Sequence, residues 1–186
     1  LGYLAGKLLE TGDSNVFIGR QIAMGDTITG DSNVVIGSNG ACALTSGCEN
    51  IILGLSAAHK LSTGNRNIIM GYAAGYGFGG CNTGSHNIFM GEYVGTLNSV
   101  TGNCNIIGAE TNFMSGGEGN FTGHRNVTIG FGASVTDKTG SNQLAIGVGN
   151  TNWLRGDSDF NIYDKDGNQL NGASGGGGDK FNTTIT

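Results

Sequence analysis

Proline is absent from the 186 residues, tryptophan occurs once, and only 12% of the chain is charged. Low charge combined with regularly placed aliphatics excludes a disordered chain, which needs many charges and few apolar residues. Glycine is abundant, with 37 residues, but it has no three-residue period, which excludes collagen. No apolar run reaches the roughly 20 residues that span a bilayer, so membrane insertion by a helix is not expected. A basic excess is missing too. The net charge is -5, and nucleic-acid binding needs a basic face to meet phosphates. Cysteines stand at Cys42, Cys48, Cys81 and Cys104, with no C-x-x-C pair and no histidine at zinc-finger spacing. They are expected to be free thiols acting as small residues, with no metal or other cofactor. A starting methionine and a signal peptide are also lacking. The opening "LGYLAGK" is similar to "MGYAAGY" at 70–76, so the chain is expected to be an internal or processed piece of a longer polypeptide.

What is there is a repeat. "TGDSNVFIG" at 11–19 returns as "TGDSNVVIG" at 29–37, then as "SGCENIILG", "TGNRNIIMG", "TGSHNIFMG", "TGHRNVTIG" and "TGSNQLAIG". A shortened copy, "TGNCNIIG", ends at Gly108. The leading glycines are Gly12, Gly30, Gly47, Gly64, Gly84, Gly102, Gly123 and Gly140, mostly 17 or 18 residues apart. A fixed period of this length signals a solenoid.

Within each copy, asparagine stands three residues after the leading glycine: Asn15, Asn33, Asn50, Asn67, Asn87, Asn105 and Asn126, with Gln143 in the last copy. Aliphatics stand four and six residues on, from Val16 and Ile18 to Leu144 and Ile146. That alternation predicts a strand with one buried face. A glycine then ends the strand in a tight turn. One such strand cannot bury its face alone, but coils stacked at about 4.8 Å can. Stacking sets asparagine above asparagine, so a structural ladder of amides is expected; each asparagine capping its own turn is the local alternative.

The residue between the two aliphatics is expected to point away from the core. It reads Phe17, Val35, Ile52, Ile69 and Phe89, then Thr128 and Ala145. Five large apolar residues in register would form an exposed stripe, which marks an interface between copies. A two-sheet solenoid with a thick core, or a cover supplied by the rest of the chain, is the alternative. The other half of each coil carries a small residue soon after the turn, at Ala23, Ala41, Ala57, Ala73 and Ala133. Its longer loops hold Tyr76, Phe78, Phe113 and Phe121, candidates for an aromatic platform that binds a sugar.

The recurrent "TG-x-x-N-x-x-I-G" followed by "Y-x-A-G" resembles the head repeats of trimeric bacterial adhesins of the YadA type. It is closer still to repeat regions of phage tail fibres and virion appendages, notably of cyanophages. The resemblance covers residues 1–150. It implies a homotrimer of left-handed parallel β-rolls whose apolar strand faces line the trimer axis. The coils here are longer than in the adhesin heads. "W-x-x-GDS-x-F-N", from Trp153 onwards, resembles the element that closes such repeats in cyanophage structural proteins.

The expected fold is therefore all-β: a parallel β-solenoid of about eight coils over residues 1–150. A β-hairpin cap over 151–170 would follow, with the turn at Asp166-Gly167. Residues 171–186 would be a glycine-rich linker and the start of a further module. The expected function is a non-enzymatic structural segment of a trimeric viral fibre, located on the virion or outside the cell. Its partners would be itself, other virion proteins and a host surface glycan. A bacterial adhesin binding through its loops, and a glycan depolymerase, are the alternatives.

Other motifs point to less. "RGD" at 155–157 matches integrin ligands in three letters only. Asp164, Asp166 and Asn168 offer oxygens, but the glycine is misplaced for an EF-hand and no glutamate closes the loop. Asp13 and Asp31 occupy one slot on neighbouring coils; a carboxylate pair can hydrolyse glycosides, yet later coils hold Asn65, Ser85 and Asn103 there. His59, His86 and His124 lie in turns with no nucleophile beside them.

Overall fold

The computed structural model describes residues 1–170, apart from 25–26, 78–81, 96–100, 109–121, 131–132, 134, 136, 138, 149–150 and 160, and only the backbone of Ile106 and Ile107. The described residues are all-β, with no helix. Eight strands stack in chain order: β1 (Val16–Arg20), β2 (Val34–Ser38), β3 (Ile51–Leu53), β4 (Ile68–Met70), β5 (Ile88–Met90), β6 (Ile106–Gly108), β7 (Val127–Ile129) and β8 (Leu144–Val148). Every neighbouring pair is parallel and in register with the repeat, so Val16 lies beside Val34, then Ile51, then Ile68. The winding amounts to about six turns of a parallel β-solenoid. That is fewer than the eight coils expected.

Each strand is short because a corner precedes it. The residue two after each leading glycine has a positive φ: Ser14, Ser32, Glu49, Arg66, His86, Cys104, Arg125 and Asn142 all lie between 55° and 60°. A left-handed residue with a side chain costs roughly 1 kcal/mol or more. Stacking offsets this, since the corner N–H donates to the carbonyl of the coil before: Ser32 to Asp13 at 2.9 Å, Glu49 to Asp31 at 2.9 Å, Arg66 to Cys48 at 3.0 Å. The glycines are there because coils touch through them. A Cβ on Gly19, at φ 132°, would collide with the Gly37 carbonyl oxygen, and one on Gly30 with that of Gly47.

The core differs from the sequence expectation. Phe17, Val35, Ile52, Ile69 and Phe89 face inward and are buried, as are Thr128 and Ala145. They do not form an outer stripe, so as side chains of the single chain's interior they are not available as the contact between copies. The flanking aliphatics face outward instead: Val16, Ile18, Ile36, Ile51, Met70, Met90 and Ile129 are all more than a third exposed. Parity explains the reversal. Asparagine is two residues before the middle residue, so both share a face, and Asn33, Asn50, Asn67, Asn87, Asn105 and Asn126 are buried.

The return half of each coil closes the interior. Coil-to-coil bonds hold it, such as Ala41 N–H to Ala57 at 2.9 Å, Ala58 to Ala74 at 2.7 Å and Thr45 to Ser62 at 3.0 Å. Ala23, Ala41, Ala57, Ala73 and Ala133 are buried, as their size anticipates. Ile22, Ile28, Leu44, Leu61 and Val94 join the middle row in one core.

After β8 the direction changes. β9 (Thr151–Gly156) pairs antiparallel with β8, with an irregularity between Ile146 and Gly147, and β10 (Ile162–Asp164) pairs antiparallel with β9. The chain reverses twice in this segment, once between β9 and β10 and again at the expected Asp166-Gly167, where the Gly167 N–H donates to the Asp164 carbonyl at 3.1 Å and the Asp164 N–H to that of Asn168 at 3.0 Å. The β9–β10 connection turns around Asp157, and Asp166-Gly167 follows β10, where Tyr163 bridges to Gln169. The expected linker, 171–186, lies outside the described residues.

Candidate functional site

The inward asparagines form a continuous ladder. Asn33 Oδ1 accepts the backbone N–H and the Nδ2 of Asn50, both at 3.0 Å; Asn50 Oδ1 does the same for Asn67 at 3.0 Å. Each Nδ2 also donates to the leading glycine carbonyl of the next coil, Asn33 to Gly47 at 2.8 Å and Asn50 to Gly64 at 2.9 Å. The pattern runs from Asn15 through Asn87 and Asn105 to Asn126. The bonds cross between coils, so these are not local turn caps. Gln143 ends the ladder. Its longer side chain folds back on its own coil, where Nε2 donates to the Asp137 carbonyl and Oε1 accepts the Asp137 N–H.

A second ladder, unforeseen from the sequence, runs along the slot after each leading glycine. Side chains there accept the N–H of the same slot in the coil before. Asp31 accepts from Asp13 at 2.7 Å, Cys48 from Asp31 at 3.3 Å, and Asn65 from Cys48 at 2.7 Å. Ser85 accepts from Asn65 and His124 Nδ1 from Asn103, both at 3.0 Å, and Ser141 from His124 at 3.0 Å. The sequence signal was a slot that varies in size and charge but always carries an acceptor. The Asp13–Asp31 pair belongs to this ladder, to which Asp31 contributes its carboxylate and Asp13 its N–H.

The outward face carries a different character. Its two columns read Val, Val, Ile, Ile, Ile and Ile, Ile, Leu, Met, Met over β1–β5, with no charged residue among them. Leu55 and Tyr72 extend it past the trailing glycines, both more than 40% exposed. A sheet apolar on both faces is ordinarily covered on both faces. Charge lies at the margins: Arg20 ends β1 on the side of Val16 and Ile18, and Glu49 and Arg66 stand at corners. Arg66 holds Glu49 in a bidentate pair at 2.9 and 3.1 Å, which lowers the Glu49 pKa and raises that of Arg66. Both ends are solvent-exposed, so the pair contributes little to stability.

Of the four aromatic loop candidates, Tyr76 alone is described; Phe78, Phe113 and Phe121 lie outside the described residues. Tyr76 stacks on His59, with ring centroids 4.7 Å apart and planes 21° from parallel. That ring contact takes up one Tyr76 face. His59 Nδ1 is buried without a hydrogen-bond partner, and burial pushes its pKa down, with Lys60 adding to the effect.

Cys42, Cys48 and Cys104 are free thiols, and Cys81 lies outside the described residues. Burial raises the Cys42 pKa, and its Sγ donates to the Asn39 carbonyl at 3.1 Å. Among the described residues no group of three or more His, Cys, Asp or Glu is placed to hold a metal, and no helix is long and apolar enough to cross a membrane.

The motifs of the last segment prove to be turn chemistry. Asp157, the acid of the RGD triplet, accepts the N–H groups of Asp159 and Asn161, the Asn161 amide and the Tyr163 hydroxyl, each at 3.0 Å. These bonds depress its pKa and raise that of Tyr163. Asp164 repeats the arrangement with Asp166 N–H and with the N–H and amide of Asn168. Both carboxylates are committed to their own turns. No family model, curated protein or solved structure matches the chain.

Proposed function

We propose that this chain is a non-enzymatic structural segment of a self-associating fibre or appendage, and that copies meet through the outward face of β1–β8. The observation that carries this reading is the pair of apolar, uncharged columns on the outer face of the solenoid. At about 4.8 Å per strand the face runs roughly 34 Å. It is long and narrow, which suits a rod lying beside a rod. Its side chains also recur at the strand pitch, and another copy of the chain offers the same pitch, so knobs of one copy seat between knobs of the next along the whole length. Three copies is the number that the resemblance to fibre and adhesin repeats supplies. The same resemblance supplies the wider setting: a virion or extracellular location, neighbouring virion proteins, and a host-recognition tip held away from the particle. Stacked coils and two internal ladders suit a stiff spacer.

The test is native mass by light scattering on a size-exclusion column, for the wild type and for Ile51→Asp and Met90→Asp. The expected wild-type mass is three times the 18.9 kDa chain. The two variants should keep the wild-type circular dichroism and run as smaller species. A wild-type monomer, or variants that assemble unchanged, would overturn the proposal.

A further inference from the structure

We propose that the β9–β10 ribbon binds a carboxylate-bearing sugar, with Arg155 as the group that holds the carboxylate. The inward row of the solenoid passes by register from Thr128 to Ala145, then to Arg155 and Tyr163. Strands β1–β8 fill that row with apolar or small side chains, and where they stop it changes to a cation and a phenol. Arg155 is half-buried, and among the described residues no carboxylate pairs with it. Asp157, two residues on, aims its carboxylate at Asn161 and Tyr163 instead. In a chain of net charge -5, an unneutralised, half-buried guanidinium is conspicuous as a binding group.

Two clefts share this residue. One, of about 220 Å³, is lined by Thr151, Asn152, Arg155 and Lys165. It gathers two cations, a hydroxyl and an amide, with no carboxylate in its wall. Lys165 does touch Asp166 at 2.6 Å, but both side chains are about 60% exposed, and such a pair yields readily to a better anion. The planar guanidinium fork matches a carboxylate in bidentate fashion. The other cleft, of about 280 Å³, is lined by Arg155, Gly156, Asp157, Tyr163 and Gly167. It offers the Tyr163 ring, whose hydroxyl Asp157 holds in place. An anion site opening beside an aromatic ring fits a sugar whose ring carries an acid group. Each cleft is below the usual size of a drug-sized pocket, which limits each to about one ring. This site is separate from the aromatic loops, and it does not depend on association of copies.

The experiment is titration of the full chain with sodium glucuronate, followed through the Arg155 Nε–H and Trp153 indole signals by NMR. Methyl glucoside and sodium sulfate serve as the neutral and sugar-free probes. Glucuronate is expected to bind more tightly than either. Arg155→Gln should weaken it by about tenfold or more, and Arg155→Lys by less, because charge survives while the fork is lost. Lys165→Gln, on an exposed turn, provides a variant that leaves the ribbon folded and should weaken binding severalfold. Three outcomes would overturn the proposal: no binding of glucuronate, sulfate binding as tightly as glucuronate, or affinity indifferent to both substitutions.

Discussion

Over β2–β4 the inward and outward faces are both built from aliphatic residues, yet one is sealed and the other is open. Ile52 is wholly buried while Ile51, its neighbour in the chain, is 42% exposed. Composition does not distinguish the two faces. Company does. The inward side chains share their face with the asparagine ladder and are closed over by the return half of the coil. The outward ones share theirs with nothing in the chain described here. Hydrophobicity alone therefore does not say where a side chain goes when a strand is apolar on both sides.

The sharpest way to break the comparison is to place one charge on each face in turn. Ile52→Asp buries an unpaired carboxylate and should cost about 4 kcal/mol or more, enough to abolish cooperative unfolding in a denaturant titration. Ile51→Asp should leave the denaturation midpoint of the unassociated chain nearly unchanged. Equal effects from the two would mean that the faces are not distinct. Phe89→Asp belongs with Ile52→Asp, as a probe of the core.

Next in size is the ladder that marks the inward face. Asn50→Leu keeps the branching at Cγ but leaves the Asn67 N–H and the Gly64 carbonyl without their partners. A loss of about 3 kcal/mol is expected by chemical denaturation, whereas Asn50→Gln would retain part of it. The corners come third. Ser32→Val forces a β-branched residue into positive φ and should cost about 1–2 kcal/mol, while Ser32→Gly should be neutral or slightly stabilising. Thermal melts of the pair separate the backbone effect from the lost hydroxyl. Smaller again is the second ladder: His124→Asn keeps an acceptor for the Asn103 N–H and His124→Lys does not, a difference of about 1 kcal/mol.

The smallest expected effect is a pH dependence from His59. Burial lowers its pKa in the folded chain, so the unfolded chain binds the proton more readily. Its contribution to stability is present above the ordinary histidine value of about 6.5 and is lost as pH falls below that toward the folded value. Melting temperatures of the wild type should fall from pH 7.5 to pH 5 more steeply than those of His59→Phe. Parallel curves would show that His59 titrates alike in both states.

Much of the fold was legible in the chain. The period announced stacked coils, the trailing glycines announced tight turns with positive φ, and the asparagines announced a ladder, because each of these features repeats in sequence the way it repeats in space. The side on which the ladder lies was also latent there. An amide ladder with every lone pair and proton occupied belongs in a dry interior, and period-two alternation then carries Phe17 inside with Asn15. The role of the polar slot was harder to see, since aspartate, cysteine, asparagine, serine and histidine share only the capacity to accept a hydrogen bond.

The sequence by itself determined that this is a stack of short parallel strands joined by tight, glycine-dependent turns. Local patterns are enough for that, because each coil repeats the same few contacts with the next. Only the tertiary structure decided what covers each row, and where the inward row ends in Arg155. Those outcomes depend on the direction in which each left-handed corner turns the chain and on what the return half of the coil covers. Neither is encoded by the strand's own alternation, which reads the same from both sides.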